Sequence, residues 1–155
     1  MSAELQRISG ATHDALNTAS QIAMQYFRKS VSFDIKPDDS PVTIADREIE
    51  QAIRILLGDR FPGHAIYGEE QGQSSGEGGT WVIDPIDGTK SFLLGNPLFG
   101  CLVGFVEDGA VQAGGLAMPA LPVHPPARPR LRQNRPGNRI VDSPARNFWF
   151  RRWDL

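Results

Sequence analysis

The chain has 155 residues, 40% hydrophobic and 22% charged, with a formal net charge of -2. It can build a core, and the composition excludes a disordered acidic chain, a collagen and a coiled coil. No apolar run approaches the roughly 20 residues of a membrane-spanning helix, and the first six residues lack a basic-then-apolar leader pattern.

The near-neutral charge hides a split after Leu121. Residues 1–121 hold 8 Lys and Arg against 16 Asp and Glu; residues 122–155 hold 8 Arg against 2 Asp, and six of the twelve prolines. Such a shift marks a boundary between physically different segments. The acidic part suits a site that collects cations and opposes nucleic-acid binding. The single Cys101 cannot form an internal disulfide, which points to a reducing cytoplasm. Together with only three histidines, it also argues against a structural zinc site.

In chain order, the apolar positions Leu5, Ile8, Ala15, Leu16, Ala19, Ile22, Ala23, Tyr26 and Phe27 predict an amphipathic helix over 3–29. A short strand is expected over 32–36, then a Pro-flanked loop to Pro41. Thr43 reads as the N-cap of a second helix, which Gly58 and Pro62 should stop near Leu57. Strands are expected over 64–67, ending at Gly68-Glu69-Glu70, and over 80–83, ending at Asp84. Residues 71–79 read as a Gly/Ser-rich loop. Runs 101–106 and 110–116 frame Asp108-Gly109, a strong hairpin signal. Together these imply an α+β fold with helices layered on a largely antiparallel sheet.

The chemistry concentrates in Asp84-Pro85-Ile86-Asp87-Gly88-Thr89. Two carboxylates three residues apart straddle a proline, and Gly88 lets the main chain approach a ligand closely. Paired carboxylates beside a turn of free N–H groups suit Mg²⁺-assisted phosphate chemistry. Glu69, Glu70 and Asp46 could reach the same sheet edge; each, taken singly, reads equally well as a helix-end or surface charge.

Three segments, Ser40-Pro41-Val42-Thr43-Ile44-Ala45-Asp46 with Glu50, then Gly68-Glu69-Glu70, then Asp84 to Thr89, resemble the inositol monophosphatase family of Mg²⁺-dependent phosphomonoesterases. The resemblance runs from about residue 5 to 121. Lys90-Ser91-Phe92 with Gly95-Asn96-Pro97 is most similar to its histidinol-phosphatase branch, which works in histidine biosynthesis. The resemblance implies a truncated form of the inositol monophosphatase (sugar phosphatase) fold. It also implies hydrolysis of a small phosphate monoester, histidinol phosphate or inositol monophosphate preferred. By the same resemblance, Glu69, Asp84 and the Ile86 carbonyl would hold a first Mg²⁺, with Asp84 and Asp87 serving a second. Asp87 and the Gly88 and Thr89 N–H groups would meet the substrate phosphate. Thr89, hydrogen-bonded to Asp46, would help Glu69 orient and deprotonate the attacking water. Glu70 receives no role.

The resemblance stops near Leu121, where family members continue into a second half that supplies a further metal-binding aspartate. Residues 1–121 are therefore expected to be the metal- and phosphate-binding half. Residues 122–155 are expected to be a poorly ordered or frame-shifted Arg/Pro-rich tail, in which Trp153-Asp154-Leu155 does not replace the missing ligand. The expected partners are a small phosphorylated substrate and a second copy in a homodimer, with neither membrane nor nucleic acid. Two other readings stand beside this one: a catalytically impaired fragment serving as a metal-binding or subunit-interaction module, and a nucleic-acid binder using the arginine tail.

Overall fold

A computed structural model of the chain describes residues 2–121, 140–142 and 148–151. The expectations placed on residues 122–155 otherwise lie outside the described residues.

Helix α1 (Ala3–Tyr26) starts where the Ser2 side chain accepts the Leu5 N–H at 3.2 Å. Ile8, Ala11, Ala15, Leu16, Ala19 and Ala23 face inward, and the alanines let the helix sit close to its neighbours. The helix ends three residues before the predicted Lys29. Arg28 adopts φ 60°, a left-handed conformation that no α-helix continues through, and its Nε donates to the Gly95 carbonyl at 3.2 Å.

Strands β1 (Phe33–Ile35) and β2 (Pro41–Thr43) form a small antiparallel hairpin. Helix α2 (Ile44–Arg60) begins at Thr43 in a capping box: Thr43 accepts from the Ala45 and Asp46 N–H groups, and Asp46 accepts from the Thr43 N–H. It runs through Gly58 rather than stopping there. Phe61, nearly buried, accounts for this by caging the last turn. Its N–H donates to the Leu57 carbonyl at 2.8 Å, and its ring packs 5.3 Å from that of Trp81. A mid-helix glycine costs roughly 1 kcal/mol, which such packing readily offsets.

A seven-stranded sheet follows in the order β4-β3-β5-β6-β7-β9-β8. Its members are β3 (Ala65–Gly68), β4 (Gly72–Ser74), β5 (Thr80–Asp87), β6 (Gly100–Glu107), β7 (Ala110–Ala117), β8 (Ile140–Asp142) and β9 (Phe148–Arg151). All neighbours are antiparallel except β3 and β5, so the layered α+β expectation holds. Strand β4 forms inside the expected loop because β3 offers it a free edge, and the Ile66 N–H donates to the Ser74 hydroxyl. The β6–β7 hairpin turns at Asp108-Gly109, with φ 51° and 75°, as a two-residue turn demands.

Helices α1 and α2 cover one face of this sheet. Between them and the strands lie Trp81, Ile83, Cys101, Val103 and Phe105, all essentially inaccessible. The Trp81 indole N–H reaches His64 Nδ1 at 3.2 Å, so His64 serves the core. Burial pushes the Cys101 thiol up to about 12, leaving it an inert strand residue. Among the described residues, no helix is long and apolar enough to cross a membrane.

Candidate active site

Strand β5 does not end at Asp84, as its apolar run suggested, but continues to Asp87. Asp84 pairs with Leu102 and Asp87 with Gly100, so two residues, Pro85 and Ile86, oppose the single Cys101. Pro85 has no N–H to give the ladder, and the break is a β-bulge. The bulge frees the Ile86 carbonyl from strand pairing, and the Thr89 hydroxyl donates to it at 3.0 Å. Gly88 follows at φ 84°, a conformation costly for any side chain, and opens the short helix α3 (Thr89–Leu93) without a side-chain cap.

Asp46 stands at the first turn of α2 and is only 2% exposed. One carboxylate oxygen accepts the Thr43 N–H at 2.8 Å and the Thr43 hydroxyl at 2.6 Å. Burial pushes its pKa up, against the pull of these two bonds. The expected bond between Thr89 and Asp46 is not made: each has another partner, Ile86 and Thr43. Local geometry decides this, because the bulged carbonyl lies three residues before Thr89 and the helix cap three residues before Asp46.

Glu69 and Glu70 sit in the turn between β3 and β4, with the Glu69 N–H on the Ile83 carbonyl at 3.3 Å. Lys36, from the β1–β2 hairpin, bridges both carboxylates, with Nζ 2.8 Å from Glu69 Oε1 and 2.7 Å from Glu70 Oε1. Burial works against the Lys36 charge, but these two bonds win and hold its proton more firmly than usual. Burial pushes the Glu70 carboxyl up, partly offset by Lys36. Sequence reading missed Lys36, since a lysine in a Pro-flanked loop carries no local signal of a partner 33 residues away.

Asp84 joins these elements. Its Oδ1 is buried and has no hydrogen-bond partner. Its pKa is pushed up to about 7, first by burial, then by Glu69, Asp87 and Asp46. Four carboxylates from three separate stretches thus share one electrostatic neighbourhood. Among the described residues, no three acidic, His or Cys side chains stand in metal-coordinating geometry. The chemistry of the group nevertheless fits a hard divalent cation: every donor is oxygen, and the Asp84 oxygen is buried without a partner. Glu69, Asp84, Asp87 and the Ile86 carbonyl are the atoms that would hold it.

The profile of the inositol monophosphatase family matches residues 4–139, eighteen residues beyond the boundary drawn from the motifs. A bifunctional phosphatase of Arabidopsis thaliana chloroplasts, IMPL2, is 40% identical over 121 residues, covering 76% of this chain and 35% of that protein. The histidinol-phosphatase of Chlorobaculum parvum is 44% identical over 105 residues, covering 66% of this chain and 40% of that enzyme. Among solved structures, an inositol monophosphatase from Zymomonas mobilis superimposes with TM-score 0.62 at 38% identity, over 77% of this chain and 46% of that one. The Thermotoga maritima enzyme gives 0.65 at 31% identity, over 69% and 42%. The chain therefore spans less than half the length of these relatives, and over that span, in sequence and in fold, it belongs to the inositol monophosphatase family.

Proposed function

We propose that this chain carries the metal- and phosphate-binding part of a Mg²⁺-dependent phosphatase that hydrolyses a small phosphate monoester. Histidinol phosphate is the preferred substrate and inositol monophosphate the next. The observation that carries this reading is Asp84, whose buried, unpaired oxygen lies among Glu69, Asp87 and Asp46. Relatives named histidinol-phosphatase support the substrate preference.

When bound, a divalent cation of this kind polarises a phosphoryl oxygen and lowers the pKa of water from 15.7 toward about 7. Glu69, Asp84, Asp87 and the Ile86 carbonyl would hold it. Asp87, exposed past the bulge, and the main chain at Gly88 and Thr89 would meet the phosphate. Glu69 would accept the proton of the attacking water. Lys36 meanwhile holds Glu69 in place. The Thr89 hydroxyl fixes the Ile86 carbonyl, and would have to leave it before joining Asp46 in a proton relay.

Phosphate release from histidinol phosphate and inositol monophosphate, with Mg²⁺ and with chelator, tests the proposal. The full chain should release phosphate only with Mg²⁺, and Asp87→Asn should lower the rate ~100-fold or more. Release that survives chelator, or is indifferent to Asp87→Asn, overturns it. The second reading is a metal-binding module without turnover. Mg²⁺ binding with no phosphate release on any substrate would select it.

A further inference from the structure

The turn that carries Glu69 is held from the inside by a carboxylate with no part in the chemistry above. Glu50 lies one helical turn after Asp46 on α2 and is fully buried. Its Oε2 accepts the Glu70 N–H at 2.7 Å, and its Oε1 accepts the Gln71 N–H at 3.0 Å. Arg54, one turn further on, donates Nε to Oε1 at 2.8 Å, and its other arm reaches the Gly72 carbonyl. A single ion pair on α2 thus satisfies two N–H groups and one carbonyl of the Glu69–Gly72 turn. The fit also explains Gly68: a Cβ there would fall inside the Glu50 carboxylate. On the outer side of the turn, Lys36 bonds Glu69 and Glu70.

Burying a whole carboxylate is costly unless its oxygens are paired. Here three donors converge on two oxygens. A glutamine offers one oxygen and an NH₂ group, which would face an N–H or a guanidinium, so the amide cannot take the same place. Aspartate is one methylene too short to reach from the helix to the turn.

We propose that Glu50, held by Arg54, is a positioning residue that sets where Glu69 stands relative to Asp84. The affinity of the site for a divalent cation then depends on a carboxylate that touches neither metal nor substrate. The metal part of this claim rests on the phosphatase reading; the clamp itself does not.

The test uses the full chain, labelled with ¹⁵N, and Mn²⁺ as the probe. In Glu50→Gln, amide exchange at Glu70 and Gln71 should accelerate at least ~10-fold, with α1 amides unchanged, and Mn²⁺ affinity should fall roughly 10–100-fold. Gly68→Ala, which displaces the carboxylate while leaving it charged, should reproduce both effects. Arg54→Lys should retain more affinity than Arg54→Met, and these two variants with Gly68→Ala carry the test if Glu50→Gln does not fold. Unchanged exchange at both amides overturns the clamp. Accelerated exchange with unchanged Mn²⁺ affinity overturns the positioning role and leaves Glu50 merely structural. Failure of the unsubstituted chain to bind Mn²⁺ at all defeats the phosphatase reading and the metal part together, while amide exchange still decides the clamp.

Discussion

Asp84 shows what four neighbouring carboxylates do to one another. Burial first, and Glu69 next, keep its proton on up to about pH 7, whereas the unfolded chain releases it near 3.8. Between these values the folded state binds more protons than the unfolded one, so stability falls as the pH rises from about 4 to about 7 and stays low above it. With chelator present, Asp84→Asn should remove this slope and gain roughly 2 kcal/mol at pH 8, after allowance for partial exposure. Urea titrations at pH 5 and pH 8 check this, and an unaltered slope in the variant would refute it. The same discomfort makes the position useful, because a cation arriving there relieves repulsion already present in the fold. Lys36 relieves the outer pair, Glu69 and Glu70, but makes no bond to Asp84.

The capping box of α2 links a local element to the site. Thr43 both starts the helix and fixes one Asp46 oxygen, with neither group exposed beyond 2%. Thr43→Ala should therefore cost about 1–2 kcal/mol by thermal or urea unfolding, and Thr43→Ser far less. A Thr43→Ala chain as stable as the parent would show that the cap carries no weight. The bulge in β5 is the second such device. One extra residue, at a proline that cannot pair, turns Pro85 and Ile86 out of the ladder that holds Asp84 on one side and Asp87 on the other. Apolar alternation along Trp81-Val82-Ile83 carries no information about such a break, so the strand reads as ending at Asp84.

The sheet as a layer has two faces of similar character. Helices α1 and α2 cover one. On the other, Val82, Leu102, Val106, Val111 and Leu116 line a shallow apolar groove of about 500 Å³ beside Asp84, with Val82 39% and Val111 44% exposed. Strands this continuously apolar normally have both faces covered. The full chain should therefore bind a hydrophobic dye such as ANS, and Val82→Thr with Val111→Thr should weaken that binding without lowering the melting temperature. No dye binding by the unsubstituted chain would sink this expectation.

Periodicity, the Thr43 cap and the Asp108-Gly109 turn were legible in the residues themselves, because each is settled by neighbours a few positions away. The motif segments likewise named Asp46, Glu69, Asp84 and Asp87 before any coordinates. Folding alone decided that Lys36 bridges Glu69 and Glu70 from 33 and 34 residues away, that Glu50 holds the turn 20 residues on, and that Thr89 bonds Ile86 instead of Asp46. Those contacts join stretches brought together by the packing of α2 and the hairpins on the sheet, and no local pattern encodes which distant partner a charge will meet.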